Sequence, residues 1–380
     1  MIIICKEILI PLSQAQRKNP QIVFAAGGTA GHLYPALTIA AELKKRFDAA
    51  EIHFIGTPKG IESRVVPSRG YPLHFISVRG FKRGSVLQNI AVIFRLVSSL
   101  IHSLVLLYRI KPQVCIGTGG YASGPVMFMA TLLKIPTCIQ EQNSYPGLTT
   151  RLLAGRVDRV FVAYDSVINH LQSADNVSIT GNPVRKMDAD IESGQARQHF
   201  KIDKGPVLLV FGGSQGARII NDTMIAILDR LLSETRIQIL WSCGEKNWPA
   251  IEDKIGQTDR RVRLYPYIDE MDKAYAAGDL AICRAGALTL AELALCRLPA
   301  VLIPLKIAAE NHQEYNARVM EKHNAAVVIT EAELNSNLVY NTIIALIQDQ
   351  DRLRKMRAAL KEMARPDAGE KIVDVIMQII

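Results

Sequence analysis

The sequence predicts an α/β chain of two doubly wound parallel-sheet domains, and three observations carry that reading. Short β-rich runs alternate with longer helical patterns almost throughout. The runs are continuously apolar, as strands are when helices cover both faces of a parallel sheet. The length of 380 residues, at about 100 to 200 residues per domain, accommodates two such sheets.

Taken in order, the first set of predicted strands is QIVFAA, EIHFIG, LHFISV, QVCIGTG, PTCIQEQ, RVFVAY and VSITG; the second is PVLLVFGG, IQILWSC, VRLYPY, LAICRAG, PAVLIPL and AAVVIT. A strand, glycine-turn and helix unit recurs twice in each set: VFAAGGTAGH and VCIGTGGYASGP, then VLLVFGGSQGAR and AICRAGALTLAE. The seam is placed at GNPVRKMDADIESG, where Gly181, Pro183 and a polar stretch interrupt the alternation. The predicted domains are residues 1–185 and 186–366.

Composition narrows the function classes. Hydrophobic residues make up 49% and charged residues 21%, an ordinary globular balance that excludes disordered, collagenous and multi-span membrane chains. Six scattered cysteines, without a CxxC pair and mostly inside apolar runs, read as buried small hydrophobes, not as a disulfide frame or zinc site. The opening apolar run is interrupted by Lys6 and Glu7, too early for an export signal core.

The net charge of +9 is unevenly spread. Up to Arg185 there are 20 Lys+Arg against 9 Asp+Glu, and beyond it 25 against 27. Between Glu62 and Glu141 no acidic residue occurs, while nine Lys and Arg do. Such a stretch faces a polyanion or an anionic membrane. Within it, Phe81, Val86 and Leu87 interleave with Arg79, Lys82 and Arg83, a pattern suited to a bilayer edge and equally to a solvated loop. The following segment, Ile90 to Tyr108, is apolar except for Arg95, Ser98, Ser99, His102 and Ser103. Their spacing of three and four predicts an amphipathic helix in preference to a membrane span. No finger, RNP-type or basic-helix pattern accompanies the charge, so no nucleic-acid partner is expected.

The glycine turns carry the candidate chemistry. Gly27-Gly28-Thr29-Ala30-Gly31-His32 ends a strand and opens a helix, a place where backbone approaches a ligand closely and amides meet an anion. His32, a residue type whose unperturbed pKa is about 6.5, is either a proton acceptor or a ring that merely caps the turn. Gly117-Thr118-Gly119-Gly120-Tyr121-Ala122 satisfies a dinucleotide fingerprint with Glu141 ending the next strand, which keeps an NAD-dependent oxidoreductase open as an alternative. Ser214 in GGSQGA either caps a helix or bonds a phosphate. Thr289 and Glu292 spell a capping box, although Glu292 equally fits a carboxylate gripping a ribose. Asp188-Ala189-Asp190 spells a DxD but lies in the linker, so metal binding there is not expected.

Seven segments, GGTAGHLYPAL, GTGGYASGP, EQNSYPGLT, GNPVR, GGSQGAR, CRAGALTLAE and AAENHQEYNA, follow one another in the order found in the MurG family of glycosyltransferases, and from Gln21 to past Ala317 the chain resembles it. The resemblance implies the GT-B architecture, two Rossmann-like domains facing a central cleft, with a C-terminal helix (about 367–380) returning to the first domain. It implies inverting transfer of GlcNAc from UDP-GlcNAc to the C4 hydroxyl of undecaprenyl-pyrophosphoryl-MurNAc-pentapeptide (lipid I), giving β1,4-linked lipid II for peptidoglycan. The enzyme would be peripheral on the cytoplasmic face of the inner membrane, touching anionic lipids, with no tightly bound metal or other cofactor. A UDP-sugar epimerase of the same fold is the nearer alternative, and a non-enzymatic scaffold the remaining one.

Carried over by motif, Thr29, Ala30 and Gly31 line the diphosphate and sugar region and Asn143 contacts the sugar. Arg185 and Ser214 contact the donor, the Ile268 backbone reads uracil, Ala287, Leu288, Thr289, Leu290, Ala291 and Glu292 form the ribose and phosphate segment, and Gln313 meets a sugar hydroxyl. Phe81, Lys82, Arg83, Val86, Leu87, Gly119, Gly120 and Tyr121 lie on the membrane and acceptor side. His32 is the first choice for the general base and Glu141 the reserve. Ala30 departs from the family's third glycine, which would matter if the position needs positive φ.

Overall fold

The computed structural model describes residues 19–78, 86–188, 191–213, 215–256, 259–306 and 311–380, with the side chains of 86–95 excepted. Phe81, Lys82, Arg83, Ser214 and Asp190, and the side chains of Val86 and Leu87, therefore lie outside the described residues. The chain forms two compact units, one made of the residues up to Arg185 plus Asp367–Ile380, the other Lys186–Pro366.

The first unit runs β1 (Gln21–Ala26), α1 (Ala30–Arg46), β2 (Glu51–Gly56), α2 (Glu62–Ser68), β3 (Leu73–Phe75), α3 (Val86–Ile110), β4 (Val114–Gly119), α4 (Ser123–Leu132), β5 (Thr137–Glu141), α5 (Leu148–Leu153), β6 (Arg159–Val162) and β7 (Val177–Ile179). All pairings are parallel, in the order β3-β2-β1-β4-β5-β6-β7. The sequence therefore changes direction between β1 and β4, which is where such sheets open a crevice beyond the strands' carboxyl ends.

The second unit runs α6 (Ser193–His199), β8 (Val207–Phe211), α7 (Arg218–Glu234), β9 (Gln238–Ser242), α8 (Trp248–Ile255), β10 (Val262–Tyr265), α9 (Met271–Ala277), β11 (Leu280–Cys283), α10 (Ala287–Cys296), β12 (Ala300–Leu302), α11 (His312–Lys322), β13 (Ala326–Val328), α12 (Ser336–Gln348) and α13 (Gln350–Met363). Its strands are again all parallel, ordered β10-β9-β8-β11-β12-β13, so its switch point lies between β8 and β11. Both sheets read as the alternation predicted: β1, β4, β5, β8, β9 and β11 are buried almost end to end.

The last helix, α14 (Ala368–Ile376), belongs to the first unit. Its Ile372, Val373 and Ile376 join Ile22, Phe24, Leu33 and Ile39 in one core, and Asp374 pairs with Arg46 at 3.1 Å. Cys115, Cys138, Cys243 and Cys283 are buried free thiols, and burial pushes the Cys243 thiol up to about 11.

Helix α3 splits its polar stripe: His102 is exposed and Ser98 half-buried, while two serines turn to the interior. Ser99 and Ser103 face inward, fully buried. Their hydroxyls donate to Leu96 O and Ser99 O, both at 2.7 Å. Small side chains with self-satisfied hydroxyls let α3 approach α4 closely, which a leucine stripe would prevent. The apolar Val97, Ile101, Val105 and Tyr108 are left exposed on the other side, and Lys111 Nζ stands 5.9 Å from the Tyr108 ring. Among the described residues no helix is long and apolar enough to cross a membrane.

Candidate active site

At the first switch point the turns after β1 and β4 are packed into each other. Gly120, at φ +82°, stands so close to the Gly27 carbonyl that a Cβ there would overlap it. Gly119, at φ +107°, lies under the His32 ring, where a Cβ would come within 2.6 Å of Cδ2 and 3.0 Å of Nε2. The close approach these glycines permit is thus to the protein's own backbone and a histidine, a use that accounts for GTGGYA without a dinucleotide.

In the first turn the left-handed residue is Gly28, at φ +85°. Ala30 already belongs to α1 and does not take positive φ, so alanine in place of a glycine carries no backbone strain there. Thr29 is the extended N-cap, yet its hydroxyl does not cap the helix: Oγ1 lies 3.1 Å from His32 Nδ1. The Thr118 hydroxyl donates to the His32 carbonyl at 2.7 Å. The residue is thus fixed at its backbone by Thr118 and at Nδ1 by Thr29, with the Nε2 edge of the ring over Gly119.

The turn's outer amide is not open to an incoming anion, contrary to expectation. Gly28 N–H donates to Glu62 Oε2 at 2.9 Å, and Thr57 gives both its N–H and its hydroxyl to Glu62 Oε1 at 2.8 Å. This carboxylate is completely buried. Gly27, Gly56 and Gly60 each lack the Cβ that would strike it.

Glu141 sits at the end of β5, also buried. Its Oε1 accepts from Asn143 N (3.1 Å) and Nδ2 (3.2 Å), and its Oε2 from Gly147 N (2.9 Å) and the Thr150 hydroxyl (2.6 Å). The carboxylate thereby shapes the loop that presents Asn143. Next to it runs a buried amide network. Gln142 Nε2 donates to Thr118 O at 2.7 Å and to Gln140 Oε1 at 2.5 Å, Gln140 Nε2 to Asn182 Oδ1 at 3.1 Å, and Asn182 Nδ2 to Gln142 O at 3.0 Å. It links the β4 and β5 ends to the Gly181-Asn182-Pro183 segment. Arg185, three residues on, is exposed, as is Tyr121.

The second switch point repeats the interlock. A Cβ on Gly216 (φ +73°) would overlap the Cys243 carbonyl, and one on Gly244 (φ +93°) the Gln215 carbonyl. On the other side of the switch, α10 starts at Ala287 with Gly286 as N-cap, so Thr289 lies inside the helix and the predicted capping box is not formed. Glu292 is instead held by Tyr275, whose hydroxyl donates to Oε2 at 2.8 Å. Burial, with the Glu292 charge beside it, pushes the Tyr275 phenol well above its usual range, so it stays a donor.

Around this segment, Ala287, Leu288, Thr289 and Ala291 are half-buried, while Leu290 and Ile268 point into the core and offer only backbone to a ligand. Arg284 braces the turn, pairing with Glu331 at 2.7 Å and donating to Ile303 O at 3.0 Å. Gln313 Oε1 accepts from Leu305 N at 3.0 Å. Asp188 lies elsewhere: it lines a shallow pocket with Asp279, Arg297 and Arg357, and Asp279 accepts from Val207 N at the amino end of β8. Among the described residues no three His, Cys, Asp or Glu side chains cluster as metal ligands.

Residues 22–162 match the glycosyltransferase family 28 N-terminal domain and residues 207–372 its C-terminal domain. A UDP-N-acetylglucosamine--N-acetylmuramyl-(pentapeptide) pyrophosphoryl-undecaprenol N-acetylglucosamine transferase of Carboxydothermus hydrogenoformans is 41% identical over 95% of this chain and 98% of its own. The crystal structure of Acinetobacter baumannii MurG superposes with a TM-score of 0.77 at 27% identity, covering 94% of this chain and 99% of that one. A UDP-GlcNAc 2-epimerase from Neisseria meningitidis bound to UDP-GlcNAc shares the fold alone, with a TM-score of 0.63 at 15% identity over 95% of this chain and all of its own. With both halves matched and near-complete coverage at such identity, the chain belongs to glycosyltransferase family 28 and, within it, to the MurG family.

Proposed function

We propose that the chain transfers GlcNAc from UDP-GlcNAc to the C4 hydroxyl of MurNAc-(pentapeptide)-pyrophosphoryl-undecaprenol, with inversion at the sugar's C1. The relatives' named activity supplies the substrates. The observation that carries the chemistry is the Thr29–His32 pair at the mouth of the first switch point. In the tautomer this reading requires, Nδ1 carries the proton and donates to the Thr29 hydroxyl, which leaves the Nε2 lone pair, over Gly119, as the basic site.

In this reading His32 Nε2 takes the proton of the C4 hydroxyl as that oxygen bonds to C1 of GlcNAc. The bond from C1 to the β-phosphate oxygen breaks in the same displacement, its electron pair leaving with UDP. Within the second unit the amino ends of α7 and α10 are the groups suited to the developing charge, and Arg185 is the cation that the resemblance assigns to the donor. Glu292 grips the ribose diol, the Ile268 backbone reads uracil, and Gln313, whose Oε1 is engaged by Leu305 N, offers Nε2 to a sugar hydroxyl. Glu141 acts by holding Asn143 in place and is not the base, since both its oxygens are engaged within the loop. In this reading the chain works at the cytoplasmic face of the inner membrane, and the exposed apolar stripe of α3, with Lys111 beside Tyr108, supports a peripheral contact there.

Transfer of labelled GlcNAc to the lipid acceptor by wild type, His32→Ala and Glu141→Gln tests this. Loss of the base should lower turnover by about 10² to 10⁴-fold, with UDP binding retained. Glu141→Gln should raise the KM for donor while keeping more of kcat than His32→Ala does. Near-normal turnover in His32→Ala would refute the base assignment. Donor consumption without lipid acceptor would favour the epimerase reading.

A further inference from the structure

The completely buried carboxylate of Glu62 lies beneath the turn that ends in His32. Burying an ionised carboxylate is costly unless its oxygens are bonded, and here three donors meet them: Gly28 N–H, Thr57 N–H and the Thr57 hydroxyl. Three separate glycines, Gly27, Gly56 and Gly60, come from the ends of β1 and β2 and the start of α2, and a side chain on any one would evict it. A packing role alone would be met by an apolar side chain and larger neighbours. The acceptor atoms are what this pocket is built around.

We propose that Glu62 is a positioning residue for His32, an inference that rests on the reading of His32 as general base. The route is short. The bond to Gly28 N–H fixes the left-handed conformation at Gly28, which sets Thr29 as N-cap. Thr29 Oγ1 in turn orients His32 Nδ1. Because Gly28 N–H is spoken for by the protein's own carboxyl group, the turn presents its hydroxyl and its histidine to substrate in place of an empty amide. Glutamine at this position has nearly the same shape but turns one acceptor into an NH₂, which must face Gly28 N–H or the two Thr57 donors. One face of the turn therefore loses its bond.

The test compares full-length Glu62→Gln, Glu62→Ala and the double variant Gly60→Ala/Glu62→Ala, in which a methyl group refills the vacated pocket. Each is measured for thermal unfolding, UDP binding, GlcNAc transfer and the ¹⁵N shifts of the His32 imidazole. The expected result for Glu62→Gln is unchanged UDP affinity, a fall in kcat of about 10²-fold, the size a misplacement near 1 Å produces, and displaced His32 nitrogen shifts. The double variant should regain thermal stability over Glu62→Ala without regaining kcat. Recovery of kcat along with stability would reduce Glu62 to packing and overturn the proposal. His32 nitrogen shifts in Glu62→Gln coinciding with wild type would overturn it too, whatever the turnover. If Glu62→Gln does not fold, the double variant's stability, turnover and shifts decide alone. His32→Ala, run in parallel, reports on the base assignment independently, since the shift comparison does not depend on catalysis.

Discussion

The Tyr275 hydroxyl donates to Glu292 Oε2 at 2.8 Å, joining a phenol in the core of the second domain to the carboxylate proposed to hold the ribose. A hydrogen bond to a charged group contributes about 1.5 to 3 kcal/mol, and this one also selects a rotamer of Glu292. Tyr275→Phe keeps the ring and removes only the donor. Its UDP affinity should fall by about 10-fold, with a modest drop in stability and little change in kcat at saturating donor. Calorimetric titration with UDP checks this; unaltered affinity would detach Tyr275 from the ribose site.

The contact between Gly119 and the His32 ring makes a second prediction. Gly119→Ala places a methyl group against Cδ2 and Nε2 and asks a non-glycine residue to hold φ +107°, so both the ring and the strand end must shift. Transfer should fall by about 10² or more while UDP affinity, set in the other domain, stays within a few-fold. Gly120→Ala drives a methyl group into the Gly27 carbonyl and should chiefly lower the melting temperature. The two neighbouring glycines are thereby separable by thermal unfolding measured beside turnover.

Both sheets were legible because buried parallel strands leave continuous apolar runs, and the glycine turns because a strand, turn and helix at a switch point has few alternatives. His32 and Glu292 stood out with those turns, whereas Asn143 was singled out only through the family resemblance. What was not legible depends on contacts between distant segments. Glu62 is an ordinary acid at the start of a helix until Gly27, Gly56 and Gly60 are seen to surround it. Thr289 and Glu292 have capping-box spacing, yet Gly286 starts the helix earlier and Tyr275, seventeen residues before Glu292, claims the carboxylate. Periodicity showed that α3 has a polar stripe but not which side faces α4. Serines that bond their own helix are cheap to bury, so Ser99 and Ser103 turned inward while His102 stayed exposed.

That arrangement leads to a third prediction. Val97, Ile101, Val105 and Tyr108 follow one face of α3, and each is at least 40% exposed, in a half of the chain carrying an excess of cations. An apolar stripe beside cations suits partial insertion among anionic headgroups. Ile101→Asp with Val105→Asp should reduce co-sedimentation with phosphatidylglycerol vesicles several-fold. Wild-type binding should weaken as salt rises, because the Debye length shortens. Turnover on a detergent-dispersed acceptor should be retained. Equal sedimentation of variant and wild type would place the membrane contact elsewhere.

The last prediction concerns pH and a pair of histidines away from the proposed chemistry. His53 Nδ1 lies 3.2 Å from His74 Nε2, His53 Nε2 lies 3.0 Å from Gln21 Oε1, and Gln21 Nε2 donates to Glu51 at 2.5 Å. A consistent chain of donors runs from His74 N–H to His53, and from His53 N–H to Gln21. Protonating His53 would point a second N–H at His74. Burial first, then the repulsion of His74, lowers the His53 pKa below 6.5 despite Glu51 nearby, and burial lowers that of His74. The unfolded chain therefore takes up protons near pH 6.5 while the folded chain resists until lower pH. In that window the unfolded state binds more protons, so stability falls as pH falls and is regained above the unfolded value. The urea midpoint should drop between pH 7.5 and 5.5, written as about two units across the ordinary imidazole pKa. His74→Gln, which removes one titrating ring and relieves the other, should flatten that slope. An identical pH dependence in His74→Gln would assign the acid sensitivity to groups other than this pair.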